Sequence, residues 1–322
     1  MTTWRSGKKL MLQNLPNNSN TESIKKAILN TMAFFSIYDL PISLISIHQY
    51  LYKTHSFFEA VEIAASQLVN EGKLVTKNQL YALNAWDDTK LEANRMEIAK
   101  RWRKVNRYYW LLSLIPFIHH ISIINSLAMG NADFESDIDF FVVTKPNRLY
   151  FVRTIVIILF RILGVYKTKR HINERFCFGF YVTSNRLSLA KVLLPDDDPH
   201  FAFWFGHFAP LLNKDGYKQL ILANPWIYTY FPNFDFDLRL TQIKQKNILM
   251  RIIKGIFEVT LVLPTMILEP VLRGIHIRHT FNLPENHWPT STTVANAHML
   301  KLHALDPRID IRQKFYALLQ SL

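Results

Sequence analysis

Cysteine is nearly absent from this sequence, with Cys177 alone among 322 residues. One thiol cannot close an internal disulfide, so a reducing, cytoplasmic setting is expected. A long apolar run is also lacking. Tyr108 to Ala132 carries no Lys, Arg, Asp or Glu, but Pro116, His119, His120, Asn125 and Asn131 break it below the roughly 18 apolar residues a membrane span needs. Arg153 and Arg161 interrupt Tyr150 to Tyr166, and Pro264 divides the short apolar stretch between Glu258 and Glu269. No integral span is expected, while peripheral association with a membrane stays open. Met1 to Lys9 is basic but turns polar at once from Leu10 to Asn20, which does not read as a secretory signal. Internal repeats and low-complexity tracts are missing too. Acidic residues are in the minority: 25 against 38 Lys and Arg give a net charge of +13, which favours polyanionic partners such as nucleotides, nucleic acid or an anionic lipid face.

What is present excludes a disordered chain. Hydrophobic residues make up 49% and aromatics 13%, and the length suffices for two or three domains with cores of their own. Residues 1–20 form a polar, Asn-rich lead-in. In 21–84, Ile24, Ile28, Met32 and Phe35 recur at helical spacing behind a Thr21 capping signal. A second helix is expected over Ile42 to Tyr52 behind Pro41, and a third over Ser56 to Asn70, closed by Gly72. Two short strands around Lys77-Asn78 follow. Three helices and a hairpin are the plan of a winged helix. Its third helix, however, carries Glu59 and Glu62 and no cation, which suits packing or interaction better than groove contact.

Residues 85–115 read as a connecting helix whose Arg95, Lys100, Arg101, Arg103, Lys104 and Arg107 interleave with Trp102, Tyr108, Tyr109 and Trp110. Such a mixture either tracks a phosphate backbone or forms a solvated face with its aromatics in the core. A strand from His119 to Ile124, a polar turn, and a strand running through Phe140 to Thr144 come next. A helix over Arg148 to Tyr166 and a buried strand over Phe176 to Thr183 complete the pattern. Helices are expected within Phe201 to Phe208 and Tyr217 to Ala223. Beyond 235 the chain reads as helical, with Ile243, Ile248, Leu249, Ile252, Ile253 and Ile256 opposite Lys244, Lys246, Arg251 and Lys254.

Three Asp-x-Asp pairs occur: Asp137/Asp139, Asp196/Asp198 and Asp235/Asp237. The second and third sit among prolines and aromatics, where solvated turns are expected. The first opens an apolar strand, and because side chains alternate, Asp137, Asp139 and Phe141 share one face while Ile138, Phe140 and Val142 share the other. Two adjacent carboxylates repel unless a cation lies between them, and oxygen ligation suits Mg²⁺ held together with a phosphate. Asn125-Ser126 ends the preceding strand and offers backbone N–H groups and a hydroxyl to that phosphate, with a helix expected from about Leu127 and Gly130-Asn131 turning the chain back.

The segment from Ile121 to Thr144 resembles the polymerase-β-like nucleotidyltransferases. Their signature is a Gly-Ser or Gly-Gly turn after a first strand and an Asp-x-Asp pair on the next. Ser126, Asp137 and Asp139 match it in spacing and setting. The order of modules also resembles bacterial nucleotidyltransferase-domain proteins with a winged-helix-like N-terminal part. The resemblance implies an α+β fold: a nucleotidyltransferase-like small mixed sheet flanked by helices over 116–235, the winged-helix-like module over 21–84, and a helical C-terminal region over 236–322. It implies Mg²⁺ as cofactor and an NTP, ATP first, as substrate. Asp137 and Asp139 would be catalytic and metal-binding, and Asn125 and Ser126 nucleotide-binding. A nucleoside monophosphate would pass to a hydroxyl acceptor on a nucleic acid, a protein or a small molecule. Lys145, Arg148 and Arg170 are nearby cations in sequence, and His298, Lys301 and His303 either close over the site or lie exposed on a helix.

Two departures stand out. Asn125 replaces the usual Gly, and the strand Phe176 to Thr183 lacks the family's third carboxylate, for which Glu174 is the nearest candidate. They leave open a nucleotide-binding scaffold with little or no catalysis, and a nucleic-acid-binding regulator built on the winged-helix-like module.

Overall fold

A computed structural model describes residues 21–240, 248–302 and 305–322. The first elements are α1 (Thr21–Ser36), β1 (Ile42–Ser43), α2 (Leu44–Gln49), α3 (Phe58–Asn70), β2 (Val75–Lys77) and β3 (Leu80–Ala82). Helix α1 buries the expected stripe of Ile24, Ile28, Met32 and Phe35. The helix expected to open at Ile42 starts at Leu44 instead. Ile42 and Ser43 pair with Tyr81 and Leu80 of β3, and the Ser43 hydroxyl then accepts from Ser46 N at 3.3 Å as the N-cap. A small antiparallel sheet in the order β1-β3-β2 results.

Asp87 caps α4 (Asp88–Leu114) by accepting from Thr89 N at 2.8 Å and Lys90 N at 3.3 Å. There follow β4 (Ile118–Ile124), α5 (Asn125–Met129), β5 (Ile138–Thr144), α6 (Leu149–Ile162), β6 (Phe176–Thr183), α7 (Pro199–Gly206), β7 (Ala209–Leu212), α8 (Lys214–Leu222), α9 (Ile227–Tyr230) and α10 (Asp237–Leu240). From Ile248 onward come α11 (Ile248–Thr260), α12 (Val262–Phe281), β8 (Val294–Ala295), β9 (Met299–Lys301) and α13 (Arg308–Ser321). Ile243, Lys244 and Lys246 lie outside the described residues.

Six strands form the central sheet in the order β7-β4-β5-β6-β9-β8. It is mixed: β5 and β6 run parallel, and every other neighbouring pair is antiparallel. Two of its strands correct the expectation that everything beyond 235 is helical. Tyr181 pairs with Leu300, which is fully buried, so β9 and β8 extend the sheet past β6 and the boundary expected at 235 cuts through it. Both are too short to imprint a period of two on the sequence.

Each face of the sheet is covered. Ile121, Ile123, Phe140, Val142, Phe178 and Tyr181 pack on one side with residues of α4 and α6. Phe141, Val143, Phe180 and Val182 pack on the other with α7, α8, Phe315 of α13 and the apolar residues of 21–84. The N-terminal module therefore shares a core with the sheet, and Phe34 of α1 stacks on Phe203 of α7 at 3.8 Å between ring centroids. Among the described residues no single helix is long and apolar enough to cross a membrane; α11 and α12 meet the length and composition test only as a pair, bent by 69°.

Candidate functional site

Strand β5 lies mid-sheet and divides its side chains as its alternation requires: Ile138, Phe140 and Val142 enter one core, and Phe141 and Val143 the other. Asp139 shares the second face. Across the sheet, Asp139 is in register with Ile124 of antiparallel β4 and with Cys177 of parallel β6. Ligand atoms of Asp137, Asp139 and Cys177 all lie within 4.8 Å of one another. Cys177 thus joins the two carboxylates, a placement the sequence does not announce because it depends on the β5–β6 register.

Asn125 stands where the chain leaves β4, with a left-handed φ of 58°. Asn adopts that conformation at less cost than most residues, so the turn forms without glycine. Its carboxamide is committed on both sides: Nδ2 donates to Asp139 Oδ2 at 2.7 Å, and Oδ1 accepts from the Trp204 indole N–H. Trp204 stacks on Phe180, which ties the turn to the core. The helix expected from Leu127 starts at Asn125 and is one turn long. It closes where Gly130, at φ 83°, and Asn131 both donate to Ser126 O at 3.0 Å. Ser126 itself is half-buried beside that turn.

Arg101 of α4 fixes the approach to Asp137. Its fully buried guanidinium donates to Phe134 O at 3.0 Å, to Ser136 O at 2.8 Å, to Asn173 Oδ1 at 3.2 Å and to Glu97 Oε2 at 2.6 Å. Lys104 donates to Glu174 O at 2.7 Å, and Lys100 pairs with the Glu174 carboxylate. Glu174, expected as a third metal ligand, is therefore turned toward α4 and is not part of the Asp137–Asp139–Cys177 group. The same contacts engage part of the basic cluster of α4. Arg101, Lys100 and Lys104 hold the loops around the carboxylates, and Trp102, Tyr108 and Tyr109 pack against the core; Trp110 is exposed, as are Arg95, Lys100, Arg103 and Arg107 among the six cations.

Among the described residues the cation facing the pair is Lys167, from the basic stretch after α6. Its Nζ lies 2.5 Å from Asp137 Oδ2. Lys145 and Arg148 engage Glu258 at 2.6 Å and Val262 O at 3.3 Å instead. Burial raises the Asp139 carboxyl, the Asp137 charge raises it further, and hydrogen bonds from Asn125 and Cys177 together with Lys167 only partly oppose them, leaving it at about 7. Burial, then the Asp139 and Asp137 charges, push the Cys177 thiol well above its ordinary value. Burial works against the Lys167 ammonium, but Cys177, Asp137 and Asp139 outweigh it and raise its pKa. Two carboxylate oxygens suit a hard divalent cation, whereas a protonated thiol does not. The residues present fit such an ion through Asp137 and Asp139 alone.

A cavity of about 280 Å³ opens beside Asn125 and Ser126, lined further by Asn131, Trp204, Lys301 and Arg308. Lys301 belongs to β9, is almost fully buried, and is pulled down to about 8 by burial and the neighbouring Arg308 charge. It is thus a strand residue at the site and not an exposed helical one. His298 accompanies Thr183 at 3.4 Å and lines a different cavity, and His303 lies outside the described residues. A second cavity of about 280 Å³, walled by Trp86, Lys90 and Arg95, shares Asn131, whose buried Oδ1 has no hydrogen-bond partner among the described residues.

The other Asp-x-Asp pairs are structural. Asp198 is buried, accepts from Phe201 N at 3.0 Å to cap α7, and pairs with Arg308 at 2.6 Å, so it is no solvated turn. Asp235 accepts from Asp237 N at 3.0 Å in an ordinary turn. No family model, no curated protein and no solved structure matches the chain.

Proposed function

We propose that this protein is a Mg²⁺-dependent nucleotidyltransferase that moves a nucleoside monophosphate from an NTP to a hydroxyl acceptor. The observation that carries this reading is the convergence of Asp137, the residue just before β5, with Asp139 on that mid-sheet strand, and the hydrogen bond from the Asn125-Ser126 turn to Asp139. The strand, turn, strand, helix, strand order from β4 to β6 supports the nucleotidyltransferase-like fold, and three helices with the β1-β3-β2 sheet support the winged-helix-like plan of 21–84.

Asp137 and Asp139 would hold the ion, which when bound supplies charge neutralisation for the phosphates. Ser126 and the backbone of its turn would bind phosphate oxygens. Asp139, at about 7, must shed its proton on loading. Lys167 must give up its contact with Asp137 or share it, and its charge then lies beside the phosphate chain. The two cavities meet at Asn131, and the one beside Ser126 adjoins the turn that would bind phosphate, although neither is lined by Asp137 or Asp139. Incubation with each α-labelled NTP, Mg²⁺ and cell lysate tests the reading. Label transferred by the wild type and lost in Asp137→Asn and Asp139→Asn supports it; transfer unchanged in both variants refutes it.

A second reading is favoured by Lys167 and Cys177. A protein cation against Asp137 and a thiol beside the two carboxylates describe a site that binds nucleotide without turning it over. Nucleotide binding that persists in excess chelator, with no transfer, is its signature.

A further inference from the structure

Helix α11, and less sharply α12, turns apolar side chains outward. The residues they bury most deeply are polar, Lys254 on α11 and Thr265, Glu269 and Thr280 on α12, while Leu272 and Ile277 of α12 rest half-buried against the core. Lys254 donates to Ile118 O at 2.5 Å. Glu269 accepts from Tyr150 N at 3.0 Å and Phe151 N at 2.8 Å, capping α6. Glu258 accepts from Phe117 N at 2.9 Å. The outward side carries Ile252, Ile256 and Val259 on α11 and Leu263, Ile267 and Val271 on α12; Val259 is 75% exposed and Ile267 74%. An ordinary surface helix shows the reverse arrangement, and an apolar face this continuous marks an interaction surface.

We propose that the α11–α12 elbow lies flat in the interface of an anionic lipid membrane. Charge selects the occupant. The carboxylates Glu258 and Glu269 are drawn toward the fold, while Arg251 and Arg278 stay exposed. A second copy carrying the same +13 charge would be repelled, whereas acidic headgroups attract it. Geometry selects the orientation. The two helices bend by 69°, and α12 is fastened along α6 by Glu269 and by the His276 contact with Thr154 at 2.9 Å. One side of each helix is therefore held on protein, which fits burial of the other side to headgroup depth and not a span.

Flotation of the full chain, freed of detergent, with phosphatidylcholine vesicles and with vesicles also containing phosphatidylglycerol tests the proposal. The wild type floats with the acidic vesicles, and more weakly as salt rises. Ile256→Glu with Ile267→Glu lowers the partition coefficient by about a hundredfold or more, since two large apolar side chains no longer enter the lipid. Serine at the same two positions, which puts no charge on the surface, lowers it in the same direction. Arg251→Gln and Arg278→Gln each cost about fivefold on acidic vesicles and little on neutral ones. The glutamate and serine variants keep the wild-type circular dichroism, because these side chains face away from both cores. Absence of flotation, flotation equal in the glutamate variant, or a dimer that the same substitutions dissolve without any vesicle binding would overturn the proposal.

Discussion

Replacing Asp139 by asparagine removes an ionisation that the fold resists. Burial and the Asp137 charge hold this carboxyl at about 7, against an ordinary value of 3.8. The unfolded chain ionises first, so this carboxyl leaves the wild type most stable below about pH 4; that stability is lost as pH climbs toward 7 and levels off above. A difference of about 3 pH units at 1.36 kcal/mol each amounts to about 4 kcal/mol. Relative to the protonated carboxyl, the carboxamide of Asp139→Asn keeps an oxygen for the Asn125 Nδ2 donor but replaces the O–H by an NH2 group in a buried site, which costs on the order of 1 kcal/mol. The variant should therefore be more stable than the wild type by about 3 kcal/mol at pH 8 and nearly equal to it or slightly weaker at pH 4. Urea titrations across this range, without divalent ions, measure the difference. A wild-type profile that is flat between pH 4 and 7, or an unchanged slope in Asp139→Asn, would refute the reasoning about this carboxyl.

Other expectations follow from the same contacts. Lys167→Met removes the ammonium that competes at Asp137, so divalent affinity rises by calorimetry if a metal shares that position; unchanged affinity means the lysine and the ion do not compete. Arg101→Met leaves the buried oxygens of Phe134 and Ser136 without their donor and should cost about 3–5 kcal/mol in chemical denaturation. It should also weaken Mg²⁺ binding although Asp137 is untouched, and wild-type affinity would show that the loop holds itself. Glu269→Ala uncaps α6 at Tyr150 and Phe151 and should cost about 1–2 kcal/mol, read the same way, with no change at the carboxylate site. Gly216→Ala would place a Cβ 2.9 Å from His120 Cβ in the packed α8–β4 contact, so a loss of about 1–3 kcal/mol is expected, and a neutral result would show that His120 yields.

Local pattern carried part of this architecture. Alternation from Ile138 to Val143 placed Asp139 on the opposite face from Phe140, and the aromatic run from Phe176 to Thr183 is strand β6 at its expected limits. Asparagine at 125 tolerates the left-handed turn that the sequence position requires. What escaped the sequence depends on distant partners. Ala209 to Leu212 is only four residues long and contains Pro210, yet it pairs with β4. Val294–Ala295 and Met299–Lys301 become strands only because β6 offers an edge. Cys177 and Lys167 join the carboxylates through β5–β6 register and the return of the chain after α6, and Glu174, close by in sequence, is captured by Lys100. The apolar face of α11 was legible as periodicity, but its outward direction depends on which residues the fold anchors.

The central claim is that Asp137 and Asp139 form a divalent-ion and triphosphate site. Calorimetric titration of ATP into the wild type with Mg²⁺, with chelator alone, and into Asp137→Asn and Asp139→Asn tests it most directly. Binding is expected with Mg²⁺, weakened about tenfold or more by chelator or by either substitution, with a proton taken up by the buffer below pH 7 as Asp139 ionises. Equal affinity in all four titrations, or no nucleotide binding by the wild type, would contradict it.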